Sequence, residues 1–203
     1  MTLGEWDHFD NEEEFFKFTE KWFKECVRVL KKKGWIYSFF SKEKISFFDF
    51  IAPKYNIKTR TIFTWLKSNP TPSFRKINWI SASEFCWVGS KGKSKIKNFL
   101  KQKEMYNYMI TPNKSIYGKT EHPTEKPVEL IKRFIVTSSN EKEIVLDPFI
   151  GSGTTAVAYI QTGRNFIGFE KNKDYFKMAN KRLKPYLEQK KLFEFKQHKI
   201  IHD

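Results

Sequence analysis

The stretch Ile144-Val-Leu-Asp-Pro-Phe-Ile-Gly-Ser-Gly-Thr-Thr-Ala-Val157 decides the fold. An apolar run ends in a turn that holds two glycines, and a helix-like segment follows. The stretch therefore predicts a strand, a turn and a helix in that order. A second strand is expected at residues 165–169. Because two strands joined through a helix form a parallel, right-handed crossover, the predicted fold class is α/β.

The turn matches the pattern G-x-G-x-x-A through Gly151, Gly153 and Ala156. Glycines let the backbone turn sharply and approach a ligand. Glu170 follows 19 residues after Gly151, at the end of the second predicted strand, where a carboxylate can accept ribose hydroxyls. The turn therefore predicts a nucleotide-like cofactor, with a tight turn that binds nothing as the alternative. It is not a P-loop, because no lysine follows the second glycine.

Asp147 stands immediately before the turn and bears on which cofactor binds. A pyrophosphate at this position would meet a like charge. S-adenosylmethionine has a cationic end, with an ammonium and a sulfonium group, and suits the aspartate better. A nicotinamide dinucleotide remains the alternative.

Helix-like and strand-like segments alternate through the rest of the chain. Asp10 and Glu13 form a capping-box pattern, which predicts a helix that ends by Gly34. The apolar face of this helix is expected at Phe15, Phe18, Trp22, Cys26 and Val29. The run 35–40 has the size of a buried parallel strand. Further segments are a helix at 43–52, strands at 59–66 and 84–88, a helix capped by Thr124, a strand at 143–146, a helix at 152–162 and a last helix from Asn172 to Pro185 or a few residues beyond it.

The composition indicates a soluble cytoplasmic protein with a basic surface. The formal net charge of +15 favours a polyanionic partner, although charge alone shows only a positive field. Cys26 and Cys86 match no metal or disulfide spacing, and no long apolar run indicates a membrane span. Residues 90–121 are polar and irregular and contain lysines at 91, 93, 95, 97, 101, 103, 114 and 119. These lysines indicate either a solvated loop or phosphate contacts.

Four blocks of the chain resemble the amino-methylating DNA methyltransferases, which make N6-methyladenine or N4-methylcytosine. The stretch 147–155 is similar to the family's cofactor motif, and 168–175 resembles its ribose-binding strand end. His122-Pro-Thr-Glu-Lys-Pro-Val-Glu-Leu130 resembles the helix that precedes the cofactor motif in the permuted, beta-type members. The stretch 65–73 with 84–87 also recurs in such enzymes. The blocks follow one another along the chain between residues 65 and 175, in the order that the family has.

The resemblance implies a Rossmann-like, S-adenosylmethionine-dependent methyltransferase fold, with a mostly parallel sheet and helices on both faces. It implies one methyltransferase domain over 1–203, within which 90–121 is the target-recognition segment that contacts double-stranded DNA. Glu170 would hold the ribose, and Lys126 and Pro127 would border the methionine end. The cofactor cradle would consist of Asp147, Phe149, Gly151, Ser152, Gly153, Thr154 and Thr155.

One departure from the family concerns catalysis. The family's motif is Asp/Asn/Ser-Pro-Pro-Tyr/Phe/Trp, whose polar residue binds the target amine and whose aromatic ring stacks on the flipped base. No such tetrapeptide occurs in the chain, and Asn69-Pro-Thr-Pro72 is a poor substitute because Thr71 splits the prolines. The motif is expected upstream of Met1, so no catalytic residue is assigned within the chain. Its central strand would also be missing, which leaves two unpaired sheet edges.

Three explanations of the missing motif stay open. These are a late start codon or truncated gene, a split enzyme completed by a second chain or a homodimer mate, and a non-catalytic remnant that binds DNA or cofactor. The predicted function is methyl transfer from S-adenosylmethionine to the exocyclic amine of a flipped adenine or cytosine, without a membrane or a metal. A nicotinamide-dependent oxidoreductase is the other alternative.

Overall fold

The fold is described by a computed structural model for residues 9–74, 76–113, 125–191 and 199–201. The chain divides into two compact units. The first contains the described residues up to Lys67 together with 81–95 and 106–110. The second contains the described residues of 68–80, of 96–105 and from Thr111 onward. Within the described residues, no helix has the length and apolar character needed to cross a membrane.

The first unit is built on an antiparallel sheet. Its elements are α1 (Glu12–Val29), β1 (Trp35–Phe40), α2 (Phe47–Ile51), β2 (Ile57–Lys67), β3 (Ser83–Lys91) and β4 (Tyr108–Thr111). The strand order is β1-β3-β2-β4, and β3 pairs antiparallel with both β1 and β2. The interpretation of 35–40 as a parallel strand is therefore wrong. All six of its residues are half-buried, and an apolar run does not record the direction of its partner.

Helix α1 begins one residue later than the capping box predicts and buries a different face. The cap is Asn11, whose Oδ1 accepts a hydrogen bond of 2.9 Å from the backbone N–H of Glu14. Phe18 and Val29 are 44% and 52% exposed, contrary to the predicted face. The buried residues of the helix are Thr19, Phe23 and Val27. Aromatic residues on several sides of this helix give more than one possible apolar stripe, and packing selects one of them.

Aromatic rings form the core of the first unit. The rings of Phe48 and Trp87 stack with centroids 4.7 Å apart, and Phe23 contacts both at 5.6 and 5.8 Å. Such pairs add about 0.5–1.5 kcal/mol each beyond the area that they bury. Trp87 Nε1 donates to Thr59 Oγ1 at 3.1 Å, so its polar atom is satisfied.

The second unit is a parallel α/β arrangement. Its elements are α3 (Val128–Ser138), β5 (Ile144–Asp147), α4 (Thr154–Gln161), β6 (Asn165–Phe169), α5 (Lys173–Lys191) and β7 (Lys199–Ile201). The strand order is β5-β6-β7, and both pairs are parallel, which confirms the crossover predicted around the glycine turn. Strand β7 is absent from the predicted elements, whereas the end of α5 at Lys191 agrees with a helix that ends a few residues beyond Pro185.

Three other regions differ from the predicted secondary structure. Helix α2 covers only Phe47–Ile51, and a 3₁₀ turn at Ala52–Tyr55 takes over where Pro53 removes a backbone donor. The segment 90–121 contains strand β4 and a 3₁₀ turn at Gln102–Met105. Helix α3 has Pro127 at its N-cap position, and the predicted cap Thr124 lies outside the described residues.

Each of the two sheets has an edge strand with no neighbour on one side among the described residues. Among the described residues, β1 forms one edge of the antiparallel sheet, and β5 forms one edge of the parallel sheet. An edge strand has unpaired N–H and C=O groups along one side, to which another strand can bind.

Candidate cofactor site

The glycine turn between β5 and α4 depends on backbone conformations that favour glycine. Gly151 and Gly153 have φ values of +52° and +82°, in the left-handed region. A Cβ added at Gly153 would lie 3.1 Å from both Cα and Cβ of Ala179 on α5, so this position is also crowded. The two glycines are therefore needed for the turn and for the close packing of α5 behind it.

The N-terminus of α4 lies at the end of this turn. Its N-cap residue is Gly153, which has no side chain to accept hydrogen bonds from the first helical N–H groups. A helix N-terminus whose first N–H groups are not capped by a side chain favours acceptor groups of a ligand. Beside the turn, Phe149 exposes 55% of its surface and offers an apolar ring.

Asp147 ends β5 as a half-buried carboxylate. Burial raises the pKa of the Asp147 carboxyl, and hydrogen bonds from the Thr155 hydroxyl and the Phe149 backbone act in the opposite direction. The Phe149 N–H donates to Oδ1 at 3.0 Å. The carboxylate of Glu170 also raises the pKa of Asp147. Ionised Asp147 is thus incompletely compensated, which suits a cationic ligand.

Glu170 lies directly after β6 and contacts the glycine turn. Its Oε2 accepts a hydrogen bond of 2.9 Å from the Gly151 N–H, and its Oε1 accepts one of 2.8 Å from Asn172 N–H. The structure thus brings Glu170 and the turn together, as the spacing of 19 residues predicts. The sequence pattern does not reveal that this carboxylate also holds the turn in place.

Lys126 and Pro127 lie immediately before α3, and a charged network links their segment to the turn. Arg182 on α5 donates to Glu125 Oε1 at 2.7 Å. The same guanidinium donates to Thr154 Oγ1 at 3.2 Å and to Ser152 O and Oγ at 3.4 Å each. Sequence reasoning missed both Glu125 and Arg182. Glu125 lies inside the block 122–130, but nothing in the sequence pairs it with a residue 57 positions away.

Asn69 belongs to the stretch Asn69-Pro-Thr-Pro72, which matches the catalytic motif poorly, and its side chain has a structural role. Its Nδ2 donates to the Asn113 carbonyl at 3.1 Å, and its Oδ1 accepts from the Asn113 N–H at 2.5 Å. Both polar atoms of the amide therefore bind the backbone of one residue. This pairing supports the rejection of Asn69-Pro-Thr-Pro72 as a catalytic motif.

Comparison with known proteins assigns the class. The DNA methylase family, of N6 and N4 methyltransferases, matches residues 2–181, and the chain belongs to this family. The predicted family, Rossmann-like fold and enzyme class are thereby confirmed, and so is S-adenosylmethionine as the cofactor of the class.

Particular relatives support this assignment. The chain is 31% identical to the Type II methyltransferase M2.MboI of Moraxella bovis, over 90% of this chain and 70% of that protein. It is 32% identical to M2.DpnII of Streptococcus pneumoniae, over 89% and 71% of the two chains. A crystal structure of the M1.HpyAVI–SAM complex matches with a TM-score of 0.73 and 33% identity, over 81% of this chain and 82% of that one. The cytosine-N4-specific PvuII DNA methyltransferase shares the fold, with a TM-score of 0.75 and 19% identity, over 90% and 76%.

Proposed function

We propose that this chain holds S-adenosylmethionine at the glycine turn and supplies the cofactor-binding part of a DNA amino-methyltransferase. The observation that carries the proposal is the position of the Asp147 carboxylate at the end of β5, beside a turn with two left-handed glycines that leads into α4. A cationic methionine end would stabilise the ionised form of Asp147, which burial disfavours. The same carboxylate disfavours the pyrophosphate of a nicotinamide dinucleotide.

Each element of the site has a separate role in this proposal. Asp147 faces the cationic end, Glu170 accepts the ribose hydroxyls while holding Gly151, and Phe149 offers its exposed ring to the cofactor. The side chains of Ser152, Thr154 and Thr155 shape the start of α4, and Lys126 with Pro127 borders the methionine end. When bound, the cofactor supplies an activated methyl group for transfer to an amine.

DNA is the substrate of the class, and we place its contacts in the target-recognition segment 90–121. Within the described part of this segment, residues 90–113, five lysines are exposed and can reach phosphates, namely Lys93, Lys95, Lys97, Lys101 and Lys103. Lys91 has a structural role instead, because its Nζ donates to the carbonyls of Val27 and Leu30 at 2.7 and 3.0 Å. It thereby satisfies the C-terminal end of α1.

No stretch of the 203 residues matches the catalytic motif Asp/Asn/Ser-Pro-Pro-Tyr/Phe/Trp. We propose that a strand bearing Asp/Asn/Ser-Pro-Pro-aromatic is supplied from a segment upstream of Met1 or from a second chain, including a homodimer mate. The open edge of β5, among the described residues, supports the addition of a parallel strand. A cytoplasmic location is part of the proposal, supported by a sequence whose two cysteines match no disulfide framework.

A methylation assay with tritiated S-adenosylmethionine and purified chain tests whether the chain binds the cofactor but needs a catalytic motif from elsewhere for methyl transfer. We expect cofactor binding with little or no transfer to DNA by the chain alone, and transfer once the upstream sequence is translated and included. Robust transfer by the 203-residue chain alone would contradict the proposal. A longer chain that restores an Asp-Pro-Pro-Tyr-type motif and still transfers no methyl group would favour the non-catalytic remnant.

A further inference from the structure

The pair Glu125–Arg182 contains a buried polar atom that has no partner among the described residues. The side chain of Glu125 is 4% exposed, and its Oε1 lies 2.7 Å from Arg182 Nη2. The atom without a described hydrogen-bond partner is its other oxygen, Oε2. Leaving a buried acceptor unsatisfied costs about 1–3 kcal/mol, and more when the group is charged. A buried carboxylate that keeps one such oxygen therefore requires an explanation.

The position of this pair links two segments of the proposed cofactor site. Glu125 directly precedes Lys126 and Pro127, the residues placed at the methionine end. Arg182 spans from Glu125 to Ser152 and Thr154, at the start of α4. One guanidinium thus fixes Glu125 relative to the glycine turn, with its two ends committed to different segments.

We propose that Glu125 is a second anionic contact for the methionine end of the cofactor, with Arg182 as its positioning residue. Oε2 accepts a hydrogen bond from the ammonium group, and Arg182 holds Oε1 so that the second oxygen stays in place. This inference rests on the proposed function, because it needs S-adenosylmethionine at the glycine turn. It adds a binding residue and a positioning residue that neither the glycine pattern nor the acid after β6 indicates.

Two ligands separate a contact to the methionine end from a general structural role. S-adenosylmethionine carries the amino-acid group, whereas 5′-methylthioadenosine keeps the adenine, ribose and sulfur but lacks it. We expect Glu125→Gln to weaken S-adenosylmethionine binding about 10-fold and to leave 5′-methylthioadenosine binding within about twofold, because a hydrogen bond to a charged group is removed for one ligand only. Calorimetric titration of the 203-residue chain measures both affinities.

Glu129→Gln is the matched control, since it makes the same change on α3 at a side chain that is 65% exposed. It should leave both affinities unchanged. Arg182→Lys provides a second variant, which keeps the charge but loses the fork that reaches both segments. It should weaken S-adenosylmethionine binding selectively, by about fivefold. If Glu125→Gln does not fold, the selectivity of Arg182→Lys decides the question.

Different failures have different meanings. Unchanged S-adenosylmethionine affinity in Glu125→Gln overturns the inference, and so does an equal decrease for both ligands, which is the result of a structural role alone. Wild-type chain that binds 5′-methylthioadenosine but shows no preference for S-adenosylmethionine also overturns it. Wild-type chain that binds neither ligand contradicts the proposed function itself.

Discussion

The aromatic core of the first unit and the glycine turn of the second unit differ in how fully their polar groups are satisfied. In the first unit, Trp87 Nε1 has its partner in Thr59, and Lys91 satisfies two carbonyls at the end of α1. In the second unit, burial raises the pKa of Asp147, and Glu125 keeps a buried oxygen without a described partner. The polar groups of the first region have their partners within the packed core, whereas the second region contains a carboxylate whose charged form burial disfavours and a buried oxygen without a described partner.

This difference indicates which of the two regions binds a ligand. Unmet polar groups cost stability, so a folded protein keeps them where a ligand completes them. Both Asp147 and Glu125 lie in segments that contact the start of α4, directly or through Arg182. Substitutions in the two regions should therefore separate ligand affinity from stability.

The largest effect is expected from Asp147→Asn. It should weaken S-adenosylmethionine binding by about 30-fold or more, which corresponds to about 2 kcal/mol, because a charge that faces a cation is removed. The free energy of unfolding should stay equal or rise, since the substitution removes a half-buried charge that its surroundings disfavour. Calorimetry and urea unfolding measure the two quantities. Asp174→Asn, an exposed change at the start of α5, is the control and should alter neither.

Asp147 also predicts a pH dependence. Because its folded pKa lies above its unfolded value of about 3.9, ionisation costs the folded chain stability. That cost grows as pH rises through the folded pKa and is complete above it. Cofactor affinity should follow the opposite course, rising with pH as Asp147 ionises. An Asp147→Asn chain whose affinity keeps the wild-type pH profile would contradict this assignment.

Gly153→Ala is expected to have the next largest effect. A Cβ in the left-handed region and 3.1 Å from Ala179 should lower the free energy of unfolding by about 1–3 kcal/mol and cofactor affinity by about 10-fold. Gly92→Ala is the matched control in the first unit, since Gly92 has φ +69° but nothing within 4 Å of an added Cβ. It should cost about 1 kcal/mol of stability and leave affinity unchanged. Equal decreases of affinity in both variants would remove the distinction between the two regions.

Phe48→Leu tests the aromatic core of the first unit, where we expect an effect on stability and none on cofactor affinity. Removing the ring that stacks on Trp87 should lower the free energy of unfolding by about 1–1.5 kcal/mol, measured by urea unfolding. Cofactor affinity of the folded chain should not change. Phe50→Leu is the control, because Phe50 is 74% exposed. A decrease of affinity in Phe48→Leu that exceeds about twofold would show that the aromatic core also serves the cofactor site.

The smallest effect is expected from the exposed lysines of the second unit. Replacing Lys97, Lys101 and Lys103 by glutamine should weaken DNA binding and lower its salt dependence by about 0.9 in log–log slope for each phosphate that is no longer neutralised. Fluorescence anisotropy with a labelled duplex at several salt concentrations measures this. The same number of exposed lysines on α5 provides the control, namely Lys177, Lys181 and Lys184. If the two triple variants behave alike, the target-recognition segment has no special role.

The sequence predicts the second unit better than the first, for a physical reason. The glycine turn, Asp147 and strand β6 depend on local backbone requirements, which a sequence pattern records directly. The antiparallel pairing of β1 depends on a partner about 50 residues away, which no local pattern specifies. The predicted face of α1 is wrong at Phe18 and Val29 because the aromatic residues of this helix offer several stripes.

The same limit applies within the site. The closeness of Glu170 to the glycine turn could be predicted because its distance along the chain from Gly151 is a recurring feature of strand–helix–strand units. The Glu125–Arg182 pair could not be predicted, since its members lie on separate elements and meet only after α5 packs against the turn.

Calorimetric titration of the wild-type chain with S-adenosylmethionine and, separately, with NAD tests the central claim most directly. The claim is that the turn after Asp147 binds a cofactor with a cationic end. We predict saturable binding of S-adenosylmethionine at one site per chain and no measurable heat with NAD at the same concentrations. Binding of NAD without binding of S-adenosylmethionine would contradict the account.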